Sequence, residues 1–535
     1  MRIRVLLIVL AVIVLAGCTG PQPELSSLPT PEASPSPTPA PLTLTVEAIA
    51  DPSLMAANIA NPFDEINPYL ANIYSPNEAL YNALYRAVAA LEPTFDASGY
   101  DLTYEEKYHS AECLFGESGF RFYYFKNFKL SKDGNTFTFI YNDTTDAARN
   151  RETFCARLGQ LLYNTAPENG TDIQKFMAVY QYICETANYS SDMSDYSTCT
   201  PYSILMNGQG ICNGYATLLE YTLRHLGIPA EYVSNEPHAW NIVQLDGEWY
   251  QTDLTWGAGN AGDWMNNTYT LLIDNATRLQ TLNNSGYNIG DIHVGYPGSD
   301  MGPMPACTST RFSDYRNIGY VYAFDIPSNQ VYYSGSDGLS RMNLDGSGKE
   351  TIAQGVYAVQ MVYFDDALYY VDMNDCFLYR LVPGGEPKLL DDSEIVAYLG
   401  LDGASLSYGL EPGEKTLPLL PFDAADFEAA DTQVLPSAQF LRSRTFRFDI
   451  RFSAPVDASQ DWSRLVFLSD TAGNPVPLHF ELSSDKQTLS VRSAECIADK
   501  GLMSLLISDT IVSEQGATLT SPCRMDVSLV SELQP

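Results

Sequence analysis

The tightest local constraint in the chain is the dipeptide Asp246-Gly247. It stands between two runs of strand-forming residues, His238-Ala239-Trp240-Asn241-Ile242-Val243-Gln244-Leu245 and Glu248-Trp249-Tyr250-Gln251-Thr252. Asp-Gly between such runs is a two-residue hairpin turn, because both central positions tolerate positive φ. Pairing Leu245 with Glu248 sets Asp253 opposite Trp240 and His238 opposite Thr255. His238 and Asp253 are then diagonal neighbours on one face, roughly 7–8 Å apart at the backbone and within side-chain reach. An imidazole and a carboxylate so placed form a base and its orienting group, and need only a nucleophile from a neighbouring element. The chain has five histidines, and none of the other four has such a setting.

A nucleophile stands a short distance upstream. The stretch Ser203-Ile204-Leu205-Met206-Asn207-Gly208-Gln209-Gly210-Ile211-Cys212-Asn213-Gly214-Tyr215-Ala216 runs into Leu218, Leu219, Leu223 and Leu226, and then Gly227-Ile228-Pro229. This predicts a helix that starts at Cys212 and stops at Gly227. A cysteine at a helix N-terminus sits at the positive end of the macrodipole, which favours thiolate over thiol. Taken alone, Cys212 also fits an inert core cysteine. Together with His238 and Asp253 it fits a thiol nucleophile with its base.

These blocks resemble a known family. Asn207-Gly208-Gln209-Gly210-Ile211-Cys212-Asn213-Gly214-Tyr215-Ala216, Leu226-Gly227-Ile228-Pro229, His238-Ala239-Trp240-Asn241 and Asp246-Gly247-Glu248-Trp249-Tyr250-Gln251-Thr252-Asp253-Leu254-Thr255-Trp256 are similar to the transglutaminase-like domain of the papain-related thiol enzyme superfamily, over about 170–260. The resemblance implies Cys212 as nucleophile, His238 as general base and then acid, and Asp253 as the residue that holds the imidazole. It implies thiol acyl transfer from peptide amides and leaves open whether water or an amine resolves the thioester. The Cys212 backbone N–H would meet the oxyanion, with Gln209 as a candidate second donor and Tyr202 and Tyr189 no better supported.

The N-terminus bears on location. Arg2 and Arg4 precede an unbroken apolar run of eleven residues, Val5 to Leu15, too short to span a bilayer and proportioned as an export signal. Leu15-Ala16-Gly17-Cys18 resembles the bacterial lipobox, which implies a signal peptide over 1–17, lipidation of Cys18 and an extracytoplasmic protein anchored to a bacterial membrane. Eight prolines between Pro21 and Pro41 mark 18–47 as an extended linker. The formal charge of −35 becomes −37 once Arg2 and Arg4 are removed, which argues against nucleic acid or an anionic lipid surface as partner.

The rest of the chain is read more coarsely. Ser75-Pro76-Asn77-Glu78 predicts a capped helix over 76–91 with Leu80, Leu84, Val88 and Leu91 on one face. Aromatics alternating from Phe120 to Phe128 and the run Thr136 to Tyr141 predict a hairpin about Lys132-Asp133-Gly134-Asn135. Amphipathic stretches follow near 145–163 and 171–188, so 48–290 reads as one α+β domain. Gln330-Val331-Tyr332-Tyr333 with Leu339 and Arg341 recurs as Ala367-Leu368-Tyr369-Tyr370 with Leu378 and Arg380, which predicts propeller-type β repeats over 315–430. Two copies are too few for a closed propeller, so an incomplete array is expected. Over 435–533, alternation at Phe446, Phe448, Ile450 and Phe452 with regularly spaced turns resembles a bacterial Ig-like β-sandwich.

Eight cysteines remain beside Cys18 and Cys212, and Cys184 with Cys199 and Cys496 with Cys523 are candidate pairs. There is no CxxC, HExxH or EF-hand pattern, so neither a metal nor a cofactor is expected. The chain thus reads as multidomain: a papain/transglutaminase-like α+β catalytic domain, a β-repeat region and a β-sandwich. Its expected activity is hydrolysis or transfer on a peptide or protein substrate, cell-wall material included. The alternative is a non-catalytic surface binding or adhesion protein that uses the same fold as scaffold.

Overall fold

The structure is a computed structural model that describes residues 40–50, 77–118, 123–147, 150, 154, 157–159, 161, 170–190, 196–235, 238–258, 266–286, 292–294, 304–402, 404–410, 413–419, 427, 431–441, 446–471, 473–493, 497 and 501–530. The chain divides into two units, Met1–Ala40 and Pro41–Pro535, and every element below belongs to the second. The Val5–Leu15 run, Cys18, Cys155 and Cys496 lie outside the described residues.

Asp246 and Gly247 adopt φ of 50° and 84°, and the strands His238–Leu245 and Glu248–Thr252 pair in the expected register, with Leu245 opposite Glu248 and Asn241 opposite Thr252. Ala230–Asn235 pairs on the other side of the histidine strand, and His293–Val294 completes a four-stranded antiparallel sheet. Asp253 falls just past the strand end, where it caps the short helix Leu254–Gly257.

The helix Cys212–His225 packs against the strands Ala230–Asn235 and His238–Leu245. It is buried on nearly all sides, because the helices Asp172–Thr186, Pro201–Asn207 and Leu254–Gly257 cover what the sheet does not. Two glycines of the motif permit this closeness. A Cβ on Gly210 would lie 2.5 Å from Ile204 Cδ1 and 2.8 Å from the Thr198 carbonyl, and one on Gly214 would lie 3.0 Å from the carbonyls of Thr198 and Thr200. Both glycines let the helix start lie directly on the turn Tyr196–Cys199. The helix ends as expected, with Leu226 as cap and Gly227 at φ 79°.

Upstream, the hairpin Phe125–Leu130 and Thr136–Tyr141 forms with Phe128 opposite Phe139. The first helix runs Glu78–Ala89 with Asn77 as its cap, Asn77 Oδ1 accepting the Leu80 N–H at 2.8 Å. It therefore starts two residues later than expected, and Leu91 lies beyond its end at φ 58°. Leu80, Leu84 and Val88 face the core.

Past residue 320 the repeats form two four-stranded antiparallel sheets, Tyr322–Asn343 with Glu350–Gln354 and Ala358–Leu381 with Lys388–Asp391. A third sheet of three strands, Tyr398–Asp402, Ser405–Gly409 and Lys415–Pro418, was not marked by the repeat. The sheets stay open, and no propeller is formed among the described residues.

The first of these sheets is not separate from the α+β part. Phe312, Tyr315, Phe324, Val331, Met342 and Leu344 belong to the same buried cluster as Leu80, Phe176 and Leu218. A boundary at 290 therefore cuts through a common core.

The C-terminal part has two sheets on one core, the larger carrying parallel pairings of Gln433–Val434 and Ala438–Leu441 with Cys523–Val530. Its other sheet includes Leu44–Ala50, paired antiparallel with Phe446–Phe452 from Leu44 opposite Phe452 to Ala50 opposite Phe446. Residues 44–50 thus belong neither to an extended linker nor to the α+β domain. Their alternating exposure matches an edge strand with Leu44, Val46 and Ala48 packed inward. Among the described residues no helix is long and apolar enough to cross a membrane.

Candidate active site

The structure brings Cys212, His238 and Asp253 together. Cys212 is the first residue of its helix and is buried with Ala216, Tyr232 and Ala239. Ile211 precedes it as a cap without a side-chain bond, so the N–H groups of the first turn point toward the thiol end of the helix. The thiol donates to Asn213 Oδ1 at 3.3 Å, and Asn213 Nδ2 donates to the Tyr232 hydroxyl at 3.0 Å.

His238 opens its strand, and its ring Nε2 lies 2.7 Å from Asp253 Oδ2. With Nε2 on a carboxylate, that nitrogen carries a proton. Cys212 is also a side-chain hydrogen-bond partner of the ring. Burial alone would lower the His238 pKa, but the Asp253 carboxylate and then Cys212 outweigh it and raise the value to about 9. Burial would likewise raise Asp253, yet His238, Arg278 and the Trp256 N–H hold it below the usual carboxylate range.

The rest of the motif has structural work at this site. Asn241 Nδ2 donates to the Ala216 carbonyl at 2.9 Å, so the histidine strand is tied to the cysteine helix. Trp240 Nε1 donates to Gln251 Oε1 at 2.6 Å across the hairpin. The His238 ring lies near-parallel to Trp240 and to Trp256, with centroids 5.8 and 5.1 Å away. These two indoles, quoted in the motif but given no role by the sequence, wall off the ring from solvent.

Arg278 is the residue that sequence reading missed. It projects from the helix Asn275–Asn284, and its Nη2 donates to Asp253 Oδ2 at 2.8 Å with both side chains 1% exposed. Nothing in Thr277-Arg278-Leu279 signals this, since the pairing depends on how Asp274 caps that helix beside the sheet.

Gln209 is exposed on the short strand Gln209–Gly210, and its carbonyl accepts the Ser203 hydroxyl at 2.6 Å. Tyr202 is buried and stacked on Tyr123 at 4.0 Å, a packing position, whereas Tyr189 is 45% exposed on the strand paired with Gln209–Gly210. Cys184 carries no disulfide, so the expected pair with Cys199 does not form, and the expected pair of Cys523 with Cys496 lies outside the described residues. Cys184 faces Tyr180 within the core, while Cys199 packs against the small cluster of Cys212, Ala216, Tyr232 and Ala239.

Residues 160–254 match the model of the transglutaminase-like superfamily, a span that contains all three residues of the cluster. This segment is similar to a transglutaminase-like domain. The chain is 29% identical over 133 residues to the kyphoscoliosis peptidase of Mus musculus, covering 21% of this chain and 20% of that protein. It is 29% identical over 136 residues to the kyphoscoliosis peptidase of Homo sapiens, covering 22% and 20%. The chain thus spans about a fifth of the length of these relatives. A solved crystal structure of a TGase shares 17% identity over 26% of this chain and 45% of that one, with a TM-score of 0.18. Within the matched segment, Cys212 lies on the helix, His238 on the sheet, and Asp253 at the sheet's end.

Proposed function

We propose that the protein is a thiol enzyme that cleaves or transfers acyl groups from peptide amides, with Cys212, His238 and Asp253 as its catalytic residues. The observation that carries this reading is the buried His238 ring held by Asp253 at 2.7 Å, with the Cys212 thiol among its side-chain partners. His238 accepts the thiol proton, and Cys212 Sγ bonds to the amide carbon. The tetrahedral oxyanion is met by the Cys212 backbone N–H and by Gln209. As the C–N bond breaks, His238 returns the proton to the departing amine. Water or a second amine then attacks the thioester, again losing its proton to His238, and frees the thiol.

In this reading Cys18 carries the lipid that anchors the chain outside a bacterial membrane, and the β sheets beyond residue 320 position or bind a peptide or protein substrate. The high negative charge suits a neutral or cationic substrate and not a nucleic acid.

The test is twofold. Iodoacetamide labels Cys212 ahead of the other cysteines at neutral pH, and His238→Ala slows that labelling. A panel of peptide amides with hydroxylamine yields hydroxamate from the wild type and none from Cys212→Ala. Labelling of Cys212 that is slow and indifferent to His238, with neither hydroxamate nor hydrolysis from the panel, overturns the enzyme reading in favour of a scaffold. For the anchor, Cys18→Ala abolishes lipid incorporation; unchanged incorporation overturns that part.

A further inference from the structure

Asp253 Oδ2 is shared. His238 Nε2 lies 2.7 Å from it and Arg278 Nη2 2.8 Å from it, while Oδ1 accepts the Trp256 N–H at 3.2 Å. A carboxylate that only had to orient a histidine would need one charged partner. This one has two, and both are buried.

The guanidinium is also held from its faces. Its central carbon lies 4.3 Å from the Trp240 ring centroid and 4.7 Å from that of Trp256, and the same two indoles flank the His238 ring. A cation between two indoles is stabilised by their quadrupoles, and more so where water is excluded. Arg278 is therefore fixed in place as well as paired.

Resting on the catalytic reading above, we propose that Arg278 is a positioning residue that serves as the permanent counter-ion of Asp253, keeping the carboxylate ionised and aimed at His238 when the ring has given up its proton. During acyl transfer the imidazolium delivers a proton to the leaving amine and becomes neutral. Without a second cation, Asp253 would at that moment be a buried, unpaired carboxylate, which is strongly unfavourable. The ring would then hold its proton more tightly and deliver it more slowly. Arg278 remains charged at any working pH, so it removes that penalty. By drawing on the same oxygen it also tempers the hold of Asp253 on the imidazolium.

Among the described residues, the charged and titratable groups about this pair are few. The helix Cys212–His225 brings Cys212 to His238, and the helix Asn275–Asn284 brings Arg278. From the helix Asp172–Thr186, Tyr180 and Cys184 face Asp253, and burial raises both well above their ordinary values, so both stay neutral over the working range. Among the described residues, the pH response of His238 is thus governed by Asp253 and Cys212, with Arg278 acting through Asp253.

The experiment follows His238 directly, using the full chain with isotope-labelled histidine and recording NMR titrations of its five histidines. Arg278→Met removes the charge and keeps most of the volume, and Arg278→Lys keeps the charge. In Arg278→Met the His238 midpoint moves upward by about one pH unit, roughly a tenfold change in proton affinity. Arg278→Lys returns it toward the wild type. Turnover of an amide substrate falls in Arg278→Met through kcat with KM little changed, and its alkaline limb follows the NMR midpoint. A folded Arg278→Met with the wild-type His238 midpoint overturns the proposal. If Arg278→Met does not fold, Arg278→Lys and Arg278→Gln are titrated, and coincident midpoints in these two charge states overturn it equally. Because the titration needs no turnover, a chain without amide activity but with the shifted midpoint separates failure of the enzyme reading from failure of this one.

Discussion

Asn241 Nδ2 donates to the backbone carbonyl of Ala216 at 2.9 Å, and this bond joins the strand that carries His238 to the helix that begins with Cys212. Both residues are fully buried or nearly so, and no solvent competes for the bond. The spacing between thiol and imidazole therefore depends on a contact three residues beyond the histidine.

Asn241→Ala should accordingly lower stability by about 1–3 kcal/mol, the range for a lost buried hydrogen bond together with a small cavity. It should also slow iodoacetamide labelling of Cys212 more than that of the other cysteines. Urea denaturation reads the first effect and mass spectrometry of labelled peptides the second. A loss of stability with unaltered Cys212 labelling would mean that the tie does not set the thiol–imidazole distance.

His238 sets a window of pH. Its folded pKa is raised from an ordinary value of 6.5 to about 9, so the stability it contributes is fully present below pH 6.5 and is lost as pH rises through about 9. The melting temperature of the wild type should exceed that of His238→Gln most clearly near pH 6. The difference should shrink between 6.5 and 9 and vanish by about pH 10. Asp253, held low, acts oppositely and loses its contribution only as pH falls below the ordinary carboxylate range. A gap between the two proteins that stays constant from pH 6 to 10 would contradict the raised value.

Asp253→Asn has a consequence that the hairpin register alone does not disclose. From sequence the substitution should preserve the fold and weaken turnover, since it removes the charge that orients and stabilises the protonated ring. In the structure it also strands Arg278, a buried cation whose side chain is 1% exposed. Breaking a buried ion pair from one side is destabilising by about 3–5 kcal/mol. Asp253→Asn should therefore unfold at clearly lower urea than the wild type, and the double variant Asp253→Asn, Arg278→Met should recover part of the loss. Equal midpoints for the single variant and the wild type would show that Arg278 finds another partner.

How far the sequence could be read follows from the range of the interactions concerned. The hairpin register, the start of the Cys212 helix and its stop at Gly227 rest on turn, cap and glycine chemistry within a few residues, and the structure shows each of them. The repeat at Tyr332-Tyr333 and Tyr369-Tyr370 was legible because two sheets reuse one pattern, while the third sheet lacks it. Pairings across long distances left no local trace. Arg278 reaches Asp253 from a separate helix, and Leu44–Ala50 pairs with Phe446–Phe452 about 400 residues later. Such contacts follow from tertiary packing, which no window of a dozen residues contains.

The shared core leads to the last prediction. A shortened chain ending at residue 290 keeps Cys212, His238, Asp253 and Arg278 but loses Phe312, which packs edge-on against Tyr250 at 5.0 Å between centroids, and the wholly buried Tyr315, Met342 and Leu344. It also loses Arg311, which pairs with Asp246 of the hairpin turn at 2.6 Å and with Asp345 at 3.3 Å, and Ile326, whose carbonyl accepts from Gln174 at 2.9 Å. Each fully buried large side chain is worth about 1.5–3 kcal/mol, so the four lost together rival the net stability of an ordinary domain. A chain of 77–290 should therefore be poorly soluble or bind a hydrophobic dye, with weak near-ultraviolet dichroism. One of 77–355, which retains the first four-stranded sheet, should give a sharper urea transition and preferential labelling of Cys212. Equal, cooperative unfolding of the two pieces would show that the α+β part closes its core without that sheet.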